Sequence, residues 1–166
     1  MSDRVTLTDF EAKYFDTLIS WIASERELIQ FAGPIFTFPL TTPQLHSYLD
    51  DPNRKAFALL SSSSQEHLGH GEIYRKSPFQ VDLSRLLIGP HSQRGKGLGT
   101  AMVNSLIVEA QKRFTPKEIR LKVYTWNTSA IRCYSKIGFI IDPNTSYETP
   151  VSEEVWHAHE MVLTLE

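Results

Sequence analysis

One stretch of the chain, residues 84–125, changes its patterning in an order that few folds accommodate. A strand-like run, VDLSRLLIG, ends just inside it, and a glycine cluster, QRGKGLG, follows. Leu98, Ala101, Met102, Leu106, Ala110 and Phe114 then recur at three- and four-residue spacing, which predicts a helix that Pro116 closes. From Glu118 to Thr125, Ile119, Leu121 and Val123 alternate with Arg120, Lys122 and Tyr124, the period of a strand. Strand, glycine turn, helix and strand in that order form a crossover. Two strands joined through a helix run parallel and, when they share a sheet, are connected with a right-handed sense.

The rest of the chain is arranged around that unit. Its 166 residues carry 41% apolar and 22% charged side chains, the balance of an ordinary folded protein, and a single domain spanning 1–166 is expected. Residues 11–29 show helical spacing with an interruption, and a segment with Gly33, Pro34, Pro39 and Pro43 reads as an irregular loop around Phe31, Phe36 and Phe38. A short helix from Gln44 to Leu49 follows. AFALLS, HLGHGEIYRK and VDLSRLLIG then read as an antiparallel meander. After the crossover a second short helix runs from Thr128 to Ile137, closed by Gly138 with Phe139 placed to cover it, and Val155 to Leu165 reads as a final strand. The fold class expected is mixed α/β: a largely antiparallel twisted sheet with one parallel, splayed strand pair and helices on both faces.

Composition excludes several functions. Seventeen basic against nineteen acidic residues leave a net charge of −2, which argues against a nucleic-acid partner. No apolar run has the length of a membrane span and the first residues lack a signal-peptide profile, so the expected address is the cytoplasm, with no membrane partner. Cys133 is the only cysteine, and His157 with His159 lack a third ligand, so no metal is expected.

The glycine turn is where chemistry is expected. Gly95, Gly97 and Gly99 let the backbone turn sharply, and the helix that begins there aims unpaired amides and a positive dipole end outward. Arg94 and Lys96 add charge to what reads as an anion site suited to a diphosphate. A Walker loop is excluded because Lys96 precedes Gly97, and a dinucleotide fingerprint because position 100 is Thr100. Taken alone, the turn is also compatible with a glycine-rich helix start that packs tightly and binds nothing.

A second pattern downstream makes the reading specific. RGKGLG, from Arg94 to Gly99, resembles the diphosphate loop of the GNAT acetyltransferase superfamily, Arg/Gln-x-x-Gly-x-Gly/Ala. NTSAIRCYSKIGF resembles that family's second block, with Asn127, Ala130, Tyr134, Gly138 and Phe139 in register. The resemblance implies an N-acetyltransferase that takes acetyl-CoA as cosubstrate. Its diphosphate would lie on Arg94, Gly95, Lys96, Gly97, Leu98, Gly99 and Thr100, and its pantetheine arm along the backbone of Leu86, Leu87 and Ile88. Asn127 and Tyr134 would complete the cofactor site. Asn127 is also an ordinary helix N-cap, and the two duties are compatible.

Tyr134 is the expected acid, a phenol able to return a proton to the leaving thiolate. An alkylammonium must lose a proton before it can attack, and a carboxylate base serves that step. His70, Glu72 and Tyr74 share one strand face; Glu72 is the first choice, with Asp82 and His91 as weaker ones and an outward-facing strand as the competing reading. Cys133 is read as packing. The expected acceptor is a primary amine, on a small molecule or a peptide or protein N-terminus. Trp21, Phe31, Phe36 and Phe38 form either a lid on it or core lining. The rival reading is a non-catalytic acyl-CoA-binding sensor or partner module, and a homodimer is compatible with either.

Overall fold

The computed structural model describes residues 4–166. Seven strands form one sheet: β1 (Val5–Asp9), β2 (Arg54–Ser61), β3 (His67–Arg75), β4 (Gln80–Ile88), β5 (Glu118–Tyr124), β6 (Ile140–Val151) and β7 (Glu154–Thr164), in the order β1-β2-β3-β4-β5-β7-β6. Every neighbouring pair is antiparallel except β4 with β5. The meander β2–β3–β4 and the parallel crossover are as the sequence predicts.

Helices cover both faces. On one, α4 (Leu98–Arg113) and α5 (Thr128–Ile137) pack with Met102, Val103, Leu106 and Tyr134 against Phe57, Ile73, Val81, Leu83, Ile119 and Leu121 of the strands. Alternation sends those strand residues to this face. On the other, α1 (Phe15–Ser20), α2 (Glu25–Ala32) and α3 (Thr42–Leu49) bury Phe15, Leu18, Leu28, Phe31 and Leu45 against Ala56, Ala58 and Leu60. The helical run expected over 11–29 breaks between Trp21 and Ser24, where the Ser24 side chain caps α2 by accepting from the Glu27 amide. Pro43 lies in the first turn of α3 rather than in the loop before it, since a first-turn proline forfeits no helical bond.

Two strands lie outside the sequence expectation. β1 is a five-residue edge strand on β2, and β6 is an edge strand on β7. β6 contains Pro143 and Pro150, which an edge tolerates because one side of its ladder is unused, and its register shifts between Ile141 and Ser146.

The parallel pair is short. Its register runs from Gln80 opposite Glu118 to Leu83 opposite Leu121 and stops there. Beyond it β4 carries a bulge: the register with β3 shifts between His70 and Glu72, and Arg85 takes a left-handed conformation with φ 49°. The bulge swings the last residues of β4 away from β5.

Candidate active site

Where β4 and β5 part, Leu87 and Ile88 keep β3 on one side, Leu86 belongs to the bulge, and none of the three has a strand partner on the other side. Their side chains alternate, Leu86 and Ile88 toward the α4 layer and Leu87 toward the α1–α3 layer, so the unpaired backbone edge faces the gap. The gap is part of a cleft of about 490 Å³ whose walls include Arg54, Tyr74, Asp82, Arg85, Lys122, Tyr124, Asn127 and Tyr134.

The glycine turn lies at the carboxyl end of β4, where crevices form in open sheets with parallel strands. Gly95 and Gly97 have φ of 77° and 82°, values only glycine adopts freely, and Gly97 caps α4 with no side-chain hydrogen bond. A Cβ built on Gly95, Gly97 or Gly99 meets no atom within 4 Å. The turn is therefore not tightly packed. These glycines leave open space in front of the first amides of α4, which fits an anionic group approaching the backbone closely.

Arg94 folds back along the turn. Its Nε donates to the Ile88 carbonyl (2.9 Å), and its Nη1 donates to His91 Nδ1 (3.2 Å). Arg94 thus braces the turn against the end of β4 while remaining, like Lys96, exposed to solvent. Thr100 Oγ1 lies 3.3 Å from Cys133 Sγ, tying the start of α4 to α5. Gly89 gives the turn its other anchor: the Trp21 indole occupies the space where a Cβ would stand. Trp21 is thus packing beneath the turn. Phe31 is buried and lines the cleft, Phe36 packs on Tyr48, and Phe38 is exposed, so these aromatic residues do not form one lid.

Tyr134 is half-buried on α5, its ring edge-on to Phe139 at 6.2 Å. Burial, and then the neighbouring Cys133, push its phenol above the ordinary value, so it holds its proton throughout the physiological range. Asn127 caps α5, accepting from the Ala130 amide at 3.4 Å, and also lines the cleft. The expected helix stop is present: the Gly138 and Phe139 amides both donate to the Tyr134 carbonyl, at 3.2 and 3.0 Å.

Glu72 stands differently from its expected position. It is fully buried, and it is absent from the cleft wall. Arg54 Nε donates to Oε2 at 2.6 Å, and Arg85 Nη1 lies 3.0 Å from Oε1. Arg54 also donates to the Tyr48 carbonyl (2.6 Å) and covers the Tyr48 ring at 4.4 Å. Burial and the Glu72 charge raise the Tyr48 phenol well above its usual range. On the same strand face His70 is buried, sharing a hydrogen bond with Tyr48 (3.1 Å), and only Tyr74 reaches the cleft. Sequence placed these three on one face correctly; α3 and the two arginines seal most of it.

The carboxylates on the cleft wall are Asp82, Glu148 and Glu160. Glu160 accepts from Arg120 (2.6 Å) and from the Tyr147 hydroxyl (2.9 Å), and Glu148 is exposed. Asp82 is half-buried, held by the Gln80 amide at 2.7 Å, and burial raises its carboxyl above the ordinary value. His91 belongs to the turn beside Arg94, away from this wall.

The model of the acetyltransferase (GNAT) family matches residues 22–139. A probable spermine N(1)-acetyltransferase of Bacillus subtilis subsp. natto is 40% identical over 60 residues, which are 36% of this chain and 39% of that protein. The aligned part thus spans well under half of that relative. Among solved structures, spermidine N-acetyltransferase from Vibrio cholerae, in complex with CoA and spermine, superposes with a TM-score of 0.79 at 16% identity, covering 96% of this chain and 95% of that one. Aminoglycoside acetyltransferase AAC(6')-Ib in complex with coenzyme A gives a TM-score of 0.75 at 22% identity, covering 97% and 95%. At these identities the superpositions establish a shared fold. With the family model spanning both the glycine turn and the Asn127–Phe139 block, the chain belongs to the acetyltransferase (GNAT) family.

Proposed function

We propose that this protein transfers an acetyl group from acetyl-CoA to a primary amine by direct attack. The observation that carries the reading is the parting of β4 from β5, which leaves Leu86–Ile88 without a strand partner on that side and leads to three glycines that face open space. The bound cosubstrate supplies a thioester already activated for acyl transfer. Backbone groups of Leu86, Leu87 and Ile88 would hold its pantetheine arm as an added strand, and the amides from Gly95 to Thr100 its diphosphate, with Lys96 adding charge. Fixing both reactants in one groove removes most of the entropic part of the barrier.

Asp82 is the carboxylate best suited to take the proton of the incoming ammonium: it lines the cleft, and its raised pKa brings it nearer to the amine's own. Glu72, with both oxygens facing guanidinium groups, acts instead by positioning Arg54 and Arg85 in the wall. Tyr134 keeps its proton until the leaving thiolate needs one. The wall carries both signs, Arg54, Lys76, Arg85 and Lys122 against Asp82, Glu148 and Glu160, with Arg54 and Arg85 paired to Glu72, so it lacks the acidic excess that would mark a polycation of the spermine kind, and a monoamine or a peptide N-terminus is the acceptor class it suits.

Release of free thiol from acetyl-CoA across a panel of amines tests this. Turnover is expected with at least one monoamine, with kcat lowered roughly 100-fold in Tyr134→Phe, the size typical of a lost general acid. Unchanged kcat in that variant removes Tyr134 from the chemistry. Binding of acetyl-CoA without thiol release for any amine supports the sensor reading instead.

A further inference from the structure

A second recess, of about 480 Å³, opens beside the cleft, lined by Arg26, Glu27 and Gln30 of α2 together with Trp126, Glu154 and Trp156. It adjoins the cleft. Gln30 lines both, and Tyr124 of the cleft wall lies parallel to the Trp126 indole, with centroids 5.7 Å apart. Trp156 meets both rings edge-on, at 5.1 and 5.3 Å, and the Tyr124 hydroxyl is fixed by the Ile29 carbonyl (3.2 Å).

The charges here satisfy one another. Glu154 accepts from Arg26 (3.0 Å) and from the Trp156 indole N–H (3.2 Å), while the Arg26 guanidinium covers the Trp156 ring at 5.1 Å. The place a cationic ligand would take is thus filled by the protein's own arginine. What is left open is the Trp126 indole, 47% exposed on a platform whose far side is already stacked. A large aromatic surface held rigid at the mouth of a cleft is a contact surface waiting for a planar apolar group.

We infer that this recess is the distal acceptor subsite, and that it receives an aromatic ring of the amine substrate stacked on Trp126. The inference rests on the acetyltransferase reading and narrows its acceptor to aryl-bearing monoamines or peptides with an aromatic residue near the N-terminus.

The test compares kcat/KM for 2-phenylethylamine with that for hexylamine by thiol release. The wild type is expected to favour the aryl amine. In Trp126→Ala the preference should fall about 2- to 10-fold, the ring-pair interaction expressed as a ratio, through KM more than kcat, and Trp126→Phe should restore part of it. Val108→Ala, an exposed apolar change on the opposite helix layer, should leave the ratio as it was. An unchanged ratio in Trp126→Ala overturns the subsite while leaving the acetyltransferase reading intact. Light scattering that finds a dimer dissolved by Trp126→Ala also overturns it, because a second copy then covers the indole. Absence of amine-dependent thiol release with every amine tried defeats the acetyltransferase reading, and the subsite with it.

Discussion

Replacing Glu72 by glutamine separates two roles that one carboxylate could play. Glu72 has no exposed surface, and its partners are only slightly exposed, with side-chain accessibilities of 12% for Arg54 and 17% for Arg85. Glutamine keeps the shape and one acceptor oxygen for Arg54 Nε but removes the only negative charge between two guanidinium groups. Each arginine then loses an attraction of about 4 kcal/mol at an effective dielectric constant near 20, and the two repel each other with only Asp51, 3.9 Å from Arg54, to offset them. Relaxation and water entry return part of this, so the measured loss for breaking a buried pair, about 3 to 5 kcal/mol, is the expected destabilisation. For a chain of this size that lowers Tm by roughly 10 °C. Urea unfolding followed by tryptophan fluorescence gives the stability, and thiol release well below the transition gives kcat per folded molecule. The expected result is a large loss of stability with kcat reduced no more than about tenfold. A stability loss under about 1 kcal/mol combined with a kcat reduced 100-fold or more would falsify the positioning role and return Glu72 to the position of base.

Further expectations follow from the same geometry. Gly99→Val places a branched side chain in the open turn, where a Cβ meets no protein atom within 4 Å; folding stability should change by about 1 kcal/mol or less, while calorimetry should show acetyl-CoA affinity reduced at least tenfold. Equal affinity would mean that the turn does not hold the diphosphate. Gly89→Ala drives a methyl group into the Trp21 indole and should cost about 2 to 3 kcal/mol, read as a lowered Tm, because overpacking at a ring has no flexible neighbour to yield. Burial lowers the pKa of His67 to about 4 and of His70 to about 3, below the unfolded value near 6.5. Both are neutral when folded, so the unfolded chain takes up more protons in acid. Their contribution is complete above pH 6.5 and is lost progressively as pH falls toward 4 and then 3, up to about 3 kcal/mol for His67 at pH 4. Unfolding titrations of His67→Phe should show a shallower fall over that window; an identical slope would show that His67 does not carry it.

What the sequence disclosed, and what it hid, divides by range along the chain. The crossover was legible because its signals are local: glycines at alternate positions, one long apolar stripe on α4, strict alternation in β5 and a cap at Gly138. β1 was missed because five residues at a sheet edge, none of them fully buried, carry little pattern. β6 was hidden by Pro143, Pro150 and Asn144, residues that usually mark loops and survive in a strand only because this one has a free edge. Alternation correctly grouped His70, Glu72 and Tyr74, but it could not show that α3 covers the first two or that Arg54 and Arg85 converge on Glu72. Those partners come from neighbouring strands, and the backbone turn that aims Arg85 there, at φ 49°, has no glycine to announce it. The Trp126 platform was unreadable for the same reason: its three rings come from β5, the turn after it and β7, which meet only once β7 has paired with β5.

The position of β7 between β5 and β6 carries a consequence for biogenesis. β6 touches the sheet only through a strand that is synthesised after it, so during vectorial emergence from the ribosome residues 140–151 have no docking place, and β5 presents a naked ladder of amides and carbonyls. Nascent chains halted before residue 154 should therefore need a holdase to stay monomeric, whereas chains that have cleared residue 164 can close the sheet in one zippering event.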